Sequence, residues 1–181
     1  MPLLVYRIQK EKFVPTLLSG EGARLYGGRW NPEGIPLVYT SASPELALLE
    51  TLVHLDGTPL HDLPPYVQVT LRLPDNAIET IADTELPHYW DQQPSPDYVA
   101  RFLLPRLRAD HPFLGFAVPS SVLPGSPTRN VLLNPVHPMI GQVEIVAITR
   151  LGFDSRLRPE SAMPPAMQPT TKPRAGRKPK S

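Results

Sequence analysis

YVQVTLRL, residues 66–73, alternates without a break: Val67, Val69, Leu71 and Leu73 fall on one side, Gln68, Thr70 and Arg72 on the other. A two-residue period rich in β-branched side chains is a strand with one face on a core and the other toward polar surroundings. Pro74 stops it, because proline cannot donate to a ladder. Working outward, LLVYRI (3–8), PLVYTS (36–41), FLGFAVP (113–119), NVLLNP (130–135) and QVEIVAITRL (142–151) supply further strands. PELALLETLVHLD (44–56) reads as a helix, with Ser43 as N-cap, Pro44 in the first turn and Glu45 favouring the dipole. Gly57 and Pro59 end it. A second helix is expected over 96–109, with Pro105 kinking or dividing it. Strands outnumber helices and do not alternate with them, so the expected class is α+β, a compact mixed domain with a mostly antiparallel sheet.

Length and composition set the frame. A chain of 181 residues with 41% hydrophobic and 19% charged residues supports one domain around one sizeable core. No apolar run approaches the roughly 18 residues that span a bilayer, so no membrane role is expected. The apolar start, Met1 to Val5, meets Arg7, Lys10 and Lys12 at once, unlike a signal segment. The absence of cysteine excludes disulfides and thiolate metal sites and is compatible with a cytoplasmic location. His54, His61, His88, His111 and His137 show no metal-ligand spacing, so no metal is expected. Residues 155–181 hold seven basic residues and one acidic one, a net of +6, which leaves about −5 of the total +1 for residues 1–154. Proline-rich and poor in apolar residues, 155–181 is expected to be a disordered basic tail behind a folded unit of 1–154. An acidic body without a basic face argues against direct nucleic-acid binding.

A few residues carry chemical interest. Glu50 and His54 are four apart and share one face of the 44–56 helix, and apolar residues surround most of the remaining circumference. A helix so apolar is expected to pack on more than one side, leaving Glu50 at the edge of a protected groove. Arg7, between apolar neighbours in a strand, needs an anionic partner if buried, either a structural carboxylate or a ligand. In YGGRWNPEGIPLVYTS (26–41), Gly27-Gly28 opens backbone geometries beside Arg29, a planar fork suited to phosphate. Trp30 reads as a core anchor, and Tyr39 lies in the strand that leads to Glu50. Ser120 sits where a strand leaves the core, without a GxSxG elbow, so a serine hydrolase is not indicated.

Read as a set, YRI (6–8), SGEGARLYGGRWNPEGIPLVYTSASPELALLETLVHL (19–55), VPSSVLP (118–124) and NVLLNPVHP (130–138) resemble the RES domain family, the toxin half of bacterial toxin–antitoxin pairs. The resemblance spans nearly all of 3–154, and Val131 replaces the aromatic usual after the late asparagine. It implies a fold related to ADP-ribosyltransferases and an activity that degrades NAD⁺ at the nicotinamide–ribose bond, by hydrolysis or phosphorolysis. NAD⁺ is then a substrate, no cofactor is required, and the implied partner is an Xre-type helix-turn-helix antitoxin. Oligomeric state stays open, a homo-oligomer included. By motif, the catalytic set is Glu50, Arg29, Tyr39 and Ser120, with Ser121 as an alternative to Ser120; Arg7, Arg29 and Tyr39 would bind the dinucleotide. In that scheme Glu50 answers the positive charge that develops on ribose, the arginines answer the pyrophosphate, Tyr39 offers a ring face or hydroxyl, and Ser120 touches carboxamide or ribose. Two alternatives use the same sequence: a mono-ADP-ribosyltransferase toxin acting on a protein, and a non-catalytic binding module.

Overall fold

The computed structural model describes residues 3–55 and 58–157. Ten elements frame the fold: β1 (Leu3–Lys10), α1 (Glu21–Tyr26), β2 (Val38–Ser41), α2 (Pro44–Val53), β3 (Tyr66–Leu73), β4 (Ile78–Thr80), α3 (Asp97–Arg101), β5 (Gly115–Val118), β6 (Asn130–Leu133) and β7 (Glu144–Leu151). The strands form one sheet in the order β4-β5-β6-β2-β1-β3-β7. Every neighbouring pair is antiparallel except β4 with β5, which agrees with the α+β, mostly antiparallel expectation.

Alternation along the strands divides the apolar residues between the two faces. In β6, Val131 and Leu133 join a core with Val5, Val67, Val69 and Leu71, while Leu132 between them joins a second core with Trp30, Leu37, Phe116 and Leu103. The alternating stretch 66–73 behaves as expected, with Val67, Val69, Leu71 and Leu73 all buried. Trp30, also buried, stacks on Trp90 with ring centroids 5.9 Å apart, which makes it the core anchor the sequence suggests.

One irregularity positions everything that follows. β1 pairs with β3 along all eight residues, yet it pairs with β2 only at Tyr6 opposite Ser41. Beyond that pair the two strands part, and the Arg7 guanidinium donates to the Tyr39 carbonyl at 2.9 Å. A ladder bond absent from the backbone is thus replaced by a side chain, which satisfies a carbonyl that would otherwise go unpaired.

Several expectations need correction. α2 starts as read, with the Ser43 hydroxyl accepting from the Leu46 N–H, but it stops at Val53, and residues 56–57 lie outside the described residues. It lies against β1 and β2 on one side only: Leu46 and Ala47 are buried, whereas Leu49 and Val53 are exposed. Helical periodicity reports which residues share a face, not how many faces are covered. The 96–109 helix is two pieces, α3 and a 3₁₀ turn at Leu104–Arg106, because Pro105 brings no N–H to the ladder. α1 and β4 are too short to show a period and escape sequence reading. Ser155–Leu157 forms a 3₁₀ turn, and the remainder of the expected tail lies outside the described residues.

Gly115 shows how tightly the sheet is built. A Cβ there would overlap the Leu132 carbonyl oxygen of the neighbouring strand. Gly115→Ala is expected to cost about 1–3 kcal/mol through forced strand separation. Gly141→Ala, at a position with open space around it, should stay within about 0.5 kcal/mol. Urea unfolding of both variants checks the contrast.

Candidate active site

Glu50 lies on the last turns of α2, half-buried, where three polar residues from distant parts of the chain converge. Its Oε1 accepts from the Ser120 hydroxyl at 2.7 Å and from the Asn130 side-chain amide at 2.5 Å. The Asn130 carbonyl oxygen in turn accepts from the Ser41 hydroxyl at 2.7 Å. Ser41 belongs to the single pair that joins β1 to β2, so the carboxylate is tied to the point where the strands part. Among the described residues nothing donates to Glu50 Oε2. One oxygen is therefore fixed and the other is free to face a ligand.

Two cavities meet at this carboxylate. One, of about 340 Å³, occupies the gap between β1 and β2 beneath α2, with Arg7, Gln9 and Thr51 in its wall. The other, of about 520 Å³, lies on the far side and is lined by Arg29, Trp30, Val53 and Ser121. Tyr39, Glu50, His54 and Asn130 face both. Each volume falls in the range of small-ligand sites, and together they suit a two-part ligand that straddles Glu50.

Tyr39 divides the cavities with its ring, but its hydroxyl is already engaged. The hydroxyl accepts from the Trp30 N–H at 3.1 Å and donates to Asn31 Oδ1 at 2.7 Å. Asn31, wholly buried, donates onward to the carbonyls of Ala23 and Ile35. Gly28 is required here: a Cβ would stand 2.5 Å from the Tyr39 oxygen. Gly27 meets a different need, a positive φ of 65°. Burial pushes the Tyr39 hydroxyl well above the usual phenol range, with the Trp30 N–H and Arg29 pulling the other way. Of the two groups expected of Tyr39, the hydroxyl is engaged within the protein, while the residue lines both cavities.

Arg29 donates through Nη1 to the carbonyls of Trp90 and Gln92, the latter at 3.0 Å, and so fastens the 90–92 segment over the second cavity. Burial lowers its pKa, opposed by the nearby negative charges of Glu50 and Asp91. Arg7 has no carboxylate partner among the described residues, and burial lowers its pKa to about 10.

Ser120 is 1% exposed and lines neither cavity, and its hydroxyl is turned to Glu50. Its oxygen accepts from the N–H groups of Val122 and Leu123, which directs its proton at Glu50. Its hydroxyl is thereby committed to the Glu50 carboxylate. Ser121, its neighbour, is the serine that reaches a cavity. Asn130, read in the sequence only as the late asparagine of the family motif and given no role there, is the functional contact that sequence reasoning leaves unassigned.

A mixed sheet split beside a braced carboxylate, with an arginine in each adjoining cavity, forms a cleft on an α+β domain. The RES domain profile matches residues 4–154, and the chain belongs to the RES domain family. It is 33% identical over 159 residues to a protein named Toxin Res from Photorhabdus laumondii, covering 86% of this chain and 97% of that one. It is 34% identical over 145 residues to the Prs ADP-ribosylating toxin of Sphingobium sp., covering 77% and 86%. A chain of the M. tuberculosis MbcT–MbcA toxin–antitoxin complex superposes with a TM-score of 0.59 over 83% of this chain and 85% of that one. At 19% identity that likeness is one of fold.

The Tyr39 hydroxyl supplies a stability test. Tyr39→Phe leaves the Trp30 N–H and Asn31 Oδ1 without their partner and should cost about 1–3 kcal/mol. Because the folded state holds this phenol above its unfolded pKa, its contribution is complete below about pH 10 and is lost as the pH rises further. Urea unfolding from pH 7 to 11 should show a shallower alkaline decline in Tyr39→Phe than in the unsubstituted chain.

Proposed function

We propose that this chain is the toxin of a toxin–antitoxin pair and depletes NAD⁺ by breaking the bond between nicotinamide and ribose. The observation that carries the reading is Glu50, fixed through one oxygen by Ser120 and Asn130, with its second oxygen open where two arginine-bearing cavities meet. Cleavage sends the C–N electron pair to nicotinamide, which departs neutral, and leaves positive charge on the ribose carbon. A pre-oriented carboxylate stabilises that charge more than it stabilises the bound substrate, which is the condition for catalysis. No general acid is needed, because the leaving group requires no proton. Water or phosphate then takes the ribosyl carbon and gives up its proton. The ring of Tyr39 packs against the nicotinamide riboside portion, while Arg7 and Arg29 answer the two phosphates.

The relatives named Toxin Res and the antitoxin complex of the fold neighbour support the toxin assignment and an antitoxin partner. In that setting we take the antitoxin to be of the Xre type and the site of action to be the cytoplasm, where NAD⁺ is found. A second reading draws on the relative named an ADP-ribosylating toxin: the same cleft passes ADP-ribose to a protein side chain instead of to water or phosphate.

Induced expression in a bacterial host, with NAD⁺ measured alongside growth, tests the proposal. The unsubstituted chain should stop growth as the NAD⁺ pool falls, and Glu50→Gln should do neither, its rate reduced by on the order of 10²–10³-fold or more. Growth arrest with an intact NAD⁺ pool would refute depletion. A labelled protein band from NAD⁺ carrying label in its adenylate half would favour transfer. Ser120→Ala and Asn130→Ala should each lower kcat with a smaller change in KM, because they act on Glu50 rather than on substrate.

A further inference from the structure

We infer that the cavity between β1 and β2 is a subsite for a phosphoryl anion, in which Gln9 serves as a donor beside Arg7. The two side chains project from the same face of β1, opposite Val67 and Val69 of β3. Arg7 Nε donates to Gln9 Oε1 at 2.8 Å. A guanidinium nitrogen can only donate, so this bond fixes the amide orientation: Oε1 faces Arg7, and Nε2, with both its hydrogens, points elsewhere. Nε2 is buried and has no hydrogen-bond partner among the described residues. The residue as a whole is 7% exposed and lines the cavity.

A buried donor without an acceptor is costly, and so is a buried guanidinium without an anion. Here the two faults adjoin. Arg7 uses two of its five N–H groups, on Gln9 and on the Tyr39 carbonyl, and the rest have no acceptor among the described residues. Among the described residues of the cavity wall, Glu50 supplies the only carboxylate, whereas Arg7 and Lys10 supply two cations. A phosphoryl group brings charge and several acceptor oxygens at once, enough to engage the guanidinium and the amide together. The desolvation that lowers the Arg7 pKa also makes each such contact stronger than it would be in water. The identity of the anion rests on the NAD⁺ reading: it is either the diphosphate of the dinucleotide or inorganic phosphate poised as acceptor. The existence of the subsite does not depend on that reading.

Calorimetric titration of the full chain with ADP, with inorganic phosphate, and with adenosine as the phosphate-free control tests this without turnover. At least one of the two anions should bind the unsubstituted protein. Gln9→Leu should weaken that anion by about tenfold or more, and leave adenosine unchanged. The anion whose affinity falls names the source. Gln9→Glu keeps the acceptor for Arg7 Nε but replaces the orphaned donor with a charge. It should abolish anion binding, which shows that the anion needs an uncompensated Arg7, while Gln9→Leu alone reports the amide donor. If neither anion binds, or if Gln9→Leu binds it as tightly as the unsubstituted chain, the subsite is refuted. Should Gln9-dependent binding persist while NAD⁺ stays intact, the proposed reaction falls and the subsite stands.

Discussion

β1 and β2 meet at one residue pair and then separate, and the site depends on that separation. Had the pairing continued, the gap beneath α2 would be filled by backbone hydrogen bonds, and Arg7 would have no carbonyl to cap. Instead Tyr6 opposite Ser41 serves as the hinge of an opened sheet. A guanidinium occupies the gap and holds the Tyr39 carbonyl. The opening is stable because both flanks are firmly paired: β1 with all of β3, and β2 with all of β6.

From that hinge a chain of polar contacts runs to Glu50. Ser41 holds Asn130, Asn130 and Ser120 hold one oxygen of Glu50, and backbone N–H groups orient Ser120. Each hydroxyl or amide is committed to a single arrangement, so the carboxylate is held in one orientation. On the other side, the Tyr39 hydroxyl locks the glycine-rich loop against β2 and thereby sets Arg29 over the second cavity. The cations are treated differently: Arg29 is partly satisfied by loop carbonyls, while Arg7 keeps unused donors in a desolvated wall. That asymmetry leaves the Arg7 side of the cleft with the greater need of an anion, while the Arg29 side is also walled by Trp30 and Tyr39.

Much of the sheet is legible in the sequence because period-two alternation survives wherever one face is buried, as in 66–73. β4 is not, since three residues cannot display a period, and the exposure of Leu49 and Val53 on α2 depends on neighbours that the helix itself does not encode. The motif residues Arg7, Arg29, Tyr39 and Glu50 do line one cleft, with Ser120 buried behind Glu50, but their orientations are not readable from the sequence. Whether a tyrosine presents its ring or its hydroxyl depends on partners such as Asn31, and whether a serine faces substrate or carboxylate depends on a loop's backbone. Asn130 shows the limit most clearly: its two partners are 80 and 89 positions away in the chain. Gln9 illustrates the converse, a residue whose interest lies in the partner it lacks.

The central claim is that this cleft breaks the nicotinamide–ribose bond and that Glu50 makes it do so. Incubating the purified chain with NAD⁺, with and without inorganic phosphate, and following the nicotinamide resonances by proton NMR tests it directly. The account predicts free nicotinamide from the unsubstituted chain, together with ADP-ribose or its 1″-phosphate, and none above background from Glu50→Gln of equal thermal stability. Undiminished release by Glu50→Gln, or unaltered NAD⁺ with a folded, antitoxin-free protein, would contradict it.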